Sequence, residues 1–221
     1  PQTVVVTGVD DIAIDGDQSY SIVLGAATSA DPAYDGLDPN GLSVTNADND
    51  APLVLFTDSF EVGEWNGLWV EDSQNDWYRS SQRATSGSWA AEVDGSATNA
   101  TLTISSPIDL SGMQTSTLTF DWLIESGFDA GEYLSLDIST NGGSTWIQDV
   151  RRLNGNVSAE NVWFNETVDL TPYMSSNLKI RFRSSVSASD EDANVDNVRI
   201  TAIPAGPNAL PIAVAGGPYV M

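Results

Sequence analysis

The chain has 221 residues, 41% of them hydrophobic, enough for one good core or two small ones, and no apolar run approaches the ~18 residues a membrane-spanning helix needs. Cysteine and histidine are both absent, which excludes disulfide stapling and leaves almost no room for zinc chemistry or histidine-based acid–base catalysis. Thirty-one acidic residues against eight basic ones give a net charge of −23, so nucleic acid is a poor partner. Two readings of that charge stand together: solubility in salty surroundings, and calcium held by clustered carboxylates.

Residues 1–50 carry nine Asp, no Glu, and no Lys or Arg. Short β runs (Thr3 to Thr7, Ser19 to Leu24, Leu42 to Thr45) alternate with Asp/Gly-rich turns, which predicts a partial all-β module of short strands and long loops. Three strands are too few for an independent sandwich, so this module reads as part of a larger one. Ala51-Pro52 opens a second unit, and about nine short strands separated by Gly/Ser/Asn turns follow up to residue 204. That spacing predicts an antiparallel β-sandwich of jelly-roll type. Its centre is the stretch Leu118 to Thr140, in two alternating segments. Leu118, Phe120, Trp122 and Ile124 face inward in the first, opposite Thr119 and Asp121. Leu134, Leu136 and Ile138 face inward in the second, opposite Tyr133, Ser135 and Asp137. Leu178 to Ser184 repeats the scheme with Arg181 and Arg183 outward. If these strands share a sheet, its outer face gathers carboxylates, guanidinium groups and hydroxyls. The Gly142-Gly143 pair predicts a hairpin turn leading to Trp146. Residues 205–221 form a Pro/Gly linker and a further strand.

Three resemblances refine this reading. The run from Val6 to Leu37, with VTNADND at its exit, resembles the C-terminal half of Calx-β-like repeats, an Ig-like module of giant bacterial surface and secreted proteins. The resemblance implies calcium at Asp10, Asp11, Asp15 and Asp17, with Asp48 and Asp50 nearby; Asp merely favouring tight turns is the alternative. The ordered segments SFE, SGSWA, IDLSG, LTFDW, LSLDISTNGGSTW, VDLTPY, IRFR and VDNVRI resemble the MAM-like and carbohydrate-binding jelly-roll domains of bacterial secreted proteins, without the paired cysteines of eukaryotic MAM domains. This implies a structural calcium joining the first and last strands at Glu61 and Asp196, with Asp58 and Asp94 as further ligand candidates. The tail ALPIAVAGGPY resembles the opening strand of a PKD-type domain. A chain without a leader, flanked by two truncated modules, is then expected to be a piece of a larger secreted or cell-surface protein.

A sugar site pairs an aromatic plane with carboxylates, amides and Arg. The candidates are Trp146 and Tyr133 beside Asp121, Asp137, Arg181 and Arg183, and a loop group of Trp77, Tyr78 and Arg79. Trp89, Trp122 and Trp163 are assigned to the core. Cross-strand ion pairing is the competing role for the Asp and Arg residues. No nucleophile elbow, zinc motif or phosphate loop is present, so the expectation is a non-catalytic, calcium-stabilised module that binds a polysaccharide or cell-surface glycan. The alternative is a spacer or strand-donating subunit whose incomplete terminal modules pair with neighbouring chains. Neither nucleic acid binding nor membrane insertion is expected.

Overall fold

The computed structural model describes residues 5–9, 11, 12 and 14–206, and the backbone of 212–214. The chain divides into two compact units, Pro52–Pro204 and a smaller one formed by Pro1–Ala51 with Ala205–Met221. In chain order the smaller unit supplies β1 (Val5–Thr7), β2 (Gln18–Ile22) and β3 (Leu42–Asn46). The larger unit runs from β4 (Leu53–Asp58) through β5 (Trp69–Glu71), β6 (Trp77–Ser80), β7 (Ala90–Val93), β8 (Ala100–Ile104) and β9 (Met113–Ile124). It continues with β10 (Tyr133–Ser139), β11 (Ile147–Asn154), β12 (Phe164–Asp169), β13 (Lys179–Ser185) and β14 (Ala193–Pro204). The last strand, β15 (Ile212–Val214), returns to the smaller unit and pairs antiparallel with β1, while β2 pairs with β3. No α-helix occurs among the described residues.

The larger unit is an antiparallel jelly-roll sandwich. One sheet has the order β11-β10-β13-β8-β5, and the other the order β12-β9-β14-β7-β6. Strand β4 joins the second sheet by pairing with Val198–Ala202 of β14, on the edge whose other end, Ala193–Val195, pairs with β7. Alternation makes this architecture. Leu134, Leu136 and Ile138 of β10, with Ile180 and Phe182 of β13, are buried against Leu118, Phe120 and Trp122 of β9. Phe120 and Phe182 meet edge to face at 5.1 Å across the two sheets, and Trp69 of β5 lies 6.0 Å from Phe182.

The two alternating segments around residue 127 do not form a pair. Strand β9 lies between β12 and β14, whereas β10 lies between β11 and β13, so Asp121 and Asp137 stand on different sheets. Alternation tells which side of a strand is apolar. It is silent about which neighbour the strand chooses, and the Glu125–Glu132 connection carries the chain from one layer to the other. The Gly-Gly turn does close a hairpin: β10 and β11 are antiparallel neighbours, and Gly142 and Gly143 both take positive φ.

Candidate functional site

The outer face of the five-stranded sheet carries the densest polar network. Tyr133, Ser135 and Asp137 of β10 lie directly opposite Ser185, Arg183 and Arg181 of β13, so all six point to one side. Asp137 is fully buried and accepts from Arg181 Nε (2.9 Å), Arg183 Nε (2.8 Å), Arg183 Nη2 (3.1 Å) and the Asp149 amide (2.9 Å). Burial alone pushes its pKa up, but the bonds from Arg183, the Asp149 amide and Arg181 outweigh it and hold the carboxyl below its ordinary value. Asp149 adopts a left-handed φ of 57° beside a register shift between β10 and β11. That irregularity swings its carboxylate over the sheet, where it accepts from Ser135 Oγ (2.7 Å) and Arg183 Nη2 (2.8 Å).

The aromatic groups of this face differ in availability. Tyr133 is buried, bonded through its hydroxyl to Asn99 and Arg183, with the Arg152 guanidinium 3.7 Å from its ring centroid. Its ring is a filled platform. Trp146 is half-buried, with the Arg181 guanidinium 4.3 Å from its centroid, and Ile147 beside it is exposed. The structure thus brings Trp146, Tyr133, Asp137, Arg181 and Arg183 together and leaves Asp121 on the other sheet. It adds Asp149, Arg152 and Asn99, which sequence reasoning missed because a bulge and an exposed turn position them.

The loop group is corrected. Trp77, Tyr78 and Arg79 belong to β6, not to a loop. Alternation turns Trp77 into the core at 1% exposure, so no ring face is left for a ligand. Arg79 is spent on structure: it donates to the carbonyls of Phe60 and Glu61 and lies 3.8 Å from the centroid of Trp89. Trp122 is in the core as expected, but Trp89 and Trp163 are only half-buried.

Glu61 and Asp196 grip one and the same segment. Glu61 Oε1 accepts the amides of Ser88 (2.9 Å) and Trp89 (2.8 Å). Asp196 Oδ2 accepts the amides of Thr85 (2.9 Å) and Ser86 (3.2 Å) and the Thr85 hydroxyl (2.9 Å). The SFE motif positions Glu61: Asp58 accepts the Phe60 amide, and Phe60 takes a left-handed φ of 57° held by Arg79. Gly87, at φ 63°, lies so close that a Cβ there would strike the Glu61 carboxylate. Asp196 is fully buried opposite Asp121, and among the described residues neither has a basic ion-pair partner. Burial raises the Asp196 pKa against the lowering pull of the Thr85 and Ser86 amides. Like charges directly opposite repel, and here the Thr85 hydroxyl lies between them, 2.8 Å from Asp121 Oδ2 and 2.9 Å from Asp196 Oδ2.

Asp58 and Asp94 do not join that group. Both oxygens of Asp58 are occupied, one by the Phe60 amide (2.9 Å) and one by Trp69 Nε1 (2.8 Å). Asp94 belongs to another cluster on the outer face of the six-stranded sheet, with Glu92, Glu125 and Asp192. One oxygen from each of Glu92, Glu125 and Asp192 lies within 4.8 Å of the others, an arrangement able to hold a metal ion. Burial first, then Asp94, Glu92 and Glu125, raises Asp192 to about 7, and burial likewise raises Glu92. Tyr78 donates to both Glu92 and Asp94 (3.2 Å to the latter).

In the smaller unit Asp11, Asp15, Asp48 and Asp50 line one polar recess. Asp17 stands beside it and accepts the Asp48 amide (2.9 Å), while Asp48 accepts the Gly16 amide (2.7 Å). Asp10 lies outside the described residues.

No family model matches the chain, and neither does any curated protein. Solved structures do. The N-terminal tandem of two family 22 carbohydrate-binding modules from Paenibacillus barcinonensis Xyn10C superposes with a TM-score of 0.52 at 11% identity, covering 71% of this chain and 47% of that one. The single xylan-binding domain from the same protein gives 0.47 at 14% identity, over 71% and 98%. The K3 cleaved adhesin domain of Lys-gingipain from Porphyromonas gingivalis gives 0.48 at 18% identity, over 67% and 99%. The jelly-roll sandwich is thus the architecture this chain has in common with carbohydrate-binding modules.

Proposed function

We propose that the sandwich unit is a non-catalytic module of an extracellular protein that binds a polysaccharide on the outer face of its five-stranded sheet. The observation that carries this reading is the placing of Trp146 beside Arg181, and of Arg152 and Arg183 over Tyr133, around the Asp137 and Asp149 carboxylates. A half-buried indole supplies a plane for the apolar side of a pyranose, and the charged groups supply donors and acceptors for hydroxyls. The neighbours bearing the same architecture include a xylan-binding domain and a module in complex with β-1,4-galactotriose, which supports the choice of ligand class. Calcium at Glu61, Asp196 and the Thr85–Ser88 carbonyls is the accompanying proposal, holding that loop to both ends of the sandwich. A spacer role is the second reading, and the specific observation behind it is that Asp137 is already bonded on all sides by its own protein.

Retention on insoluble xylan and on β-1,4-galactan, followed by titration calorimetry, tests the ligand face. Trp146→Ala is expected to weaken binding about 10-fold or more, the scale of a stacking anchor. Equal retention of Trp146→Ala, or no retention of the native chain by any polysaccharide tried, points to the spacer.

A further inference from the structure

We propose that Glu92, Glu125 and Asp192, with the side-chain amide of Asn194, form a second cation site, beneath the segment Ser80–Trp89, and that its ion is calcium. The residues converge from three directions. Asn194 of β14 is the register partner of Glu92 on β7, which places both side chains on the outer face of the six-stranded sheet. Glu125 follows the end of β9, and Asp192 precedes β14, with the Glu125 amide bonded to the Asp192 carbonyl (2.8 Å). The covering segment touches this face at several points: Arg83 holds Glu125 through both oxygens (Nε to Oε1, 2.5 Å; Nη2 to Oε2, 2.9 Å), and Thr85 bonds Asp121 and Asp196. Glu125 therefore has only its remaining lone pairs to offer and is the weakest ligand of the group.

Acidic residues lie close together on many surfaces without holding anything. Here the surroundings differ. Glu92 is 1% exposed and Asn194 is fully buried, yet Glu92 Oε2 and both Oδ1 and Nδ2 of Asn194 have no hydrogen-bond partner. Asp192 Oδ1 and Asp94 Oδ1 likewise accept from no donor, but these two carboxyls bond each other when Asp192 carries its proton. Roughly nine in ten buried polar groups find a partner, so the orphans of Glu92 and Asn194, side by side on one face, call for a shared one. The orphans are mostly oxygen, the charge is strongly negative, and Arg83 is the one basic group paired with the cluster among the described residues. A hard cation answers all three facts.

Ligand chemistry selects the ion. Calcium takes six to eight oxygen ligands in a flexible geometry, which suits carboxylates and an amide oxygen gathered from three different strands and their ends, whereas magnesium requires near-octahedral order and keeps several of its waters. The site is separate from the one at Glu61 and Asp196. Asn194 and Asp196 are two positions apart on β14, or about 7 Å along the strand, and no carboxylate is common to both groups. The proposal stands whether or not the first site is correct.

Titration calorimetry of the whole chelated chain with calcium chloride alone, at pH 7.5, tests it. The double variant Glu92→Gln/Asp192→Asn is expected to lose one equivalent of bound calcium relative to the native chain. Asp196→Asn reports the other site and leaves that equivalent in place. Ions bound by the smaller unit are common to every protein and cancel in the comparison. The amide replacements keep shape and remove repulsion, so the chelated double variant is expected to melt no lower than the chelated native chain. Equal stoichiometry in the native chain and a folded double variant overturns the proposal. If the double variant does not fold, crystals of the native chain soaked in terbium decide: an anomalous peak among Glu92, Glu125 and Asp192 supports the site, and its absence at full occupancy elsewhere overturns it.

Discussion

Replacing Asp137 by Asn removes one charge from the middle of the five-stranded sheet and leaves its shape intact. Asp137 has no exposed surface and receives five bonds, three of them from Arg181 and Arg183, one from the Asp149 amide and a long one, 3.5 Å, from the Ser135 hydroxyl. An Asn amide keeps one oxygen and turns an N–H₂ toward a cluster in which the guanidinium groups and the Asp149 amide can only donate. Removing one partner of a buried ion pair costs about 3–5 kcal/mol. Arg183 keeps Asp149 at 2.8 Å, and Arg181 is 16% exposed and can turn to water, so the low end applies, about 3 kcal/mol. All seven Trp lie between residues 65 and 163, so indole fluorescence during urea unfolding reports the sandwich unit alone. With a slope of about 2 kcal/mol per molar urea, the midpoint is expected to fall by about 1.5 M at pH 7. Acid supplies a second arm. The folded pKa of Asp137 is depressed, so the folded state binds fewer protons than the unfolded state between the two values. Its contribution is therefore complete above the unfolded pKa of about 3.9 and is lost as pH falls through the lower, folded value. The gap between native and variant must narrow in that window. A midpoint shift below about 0.3 M at pH 7, or a gap that stays constant down to pH 3, refutes the reasoning.

Other perturbations separate roles that the sequence confuses. Trp77→Ala is expected to cost about 3–5 kcal/mol by emptying the core, whereas Trp89→Ala should cost nearer 1 kcal/mol, the scale of a lost cation–π contact with Arg79; urea midpoints check both. Gly87→Ala places a methyl against the Glu61 carboxylate at a left-handed φ, and a loss of about 1–2 kcal/mol in thermal unfolding is expected. Calcium added to the chelated chain should raise the melting temperature, by about 2.7 kcal/mol of stability at 100 times the dissociation constant. Asp196→Asn should remove part of that rise, and an unmoved melting temperature in the native chain sinks the Glu61–Asp196 site.

Much of the architecture was written in the alternation. Strand β8 begins and ends where the pattern of Ala100 to Ile104 places it, and the inward residues of β9, β10 and β13 are those of the period-two reading. What alternation lacks is partner identity, so the separation of Asp121 from Asp137 onto two sheets was illegible. WYRS reads as a polar, aromatic loop because one Trp beside one Arg carries no phase; only the pairing of β6 with β7 fixes Trp77 inward. Asp149 was hidden by a bulge, since an extra residue breaks the very periodicity being followed. Glu92 was hidden more deeply. AAEV shows it on the polar side of a strand, and nothing local says that Ser80–Trp89 will cover that side. Glu61 and Asp196, far apart in sequence, came from the resemblance, and the structure has both holding Thr85–Trp89.

Strand β14 is the last piece of the sandwich to be synthesised, and it pairs with β4 and β7 on one edge and with β9 on the other. A growing polypeptide halted near Asp190 therefore owns every strand of one layer, while the opposite layer is still three unconnected fragments. Until the final segment emerges, Phe182 and Leu136 have only a broken wall to rest on, and premature release leaves a sticky half-shell. Long-range zippering of this kind is slow, so a chain of this design profits from being shielded until its final strand has arrived.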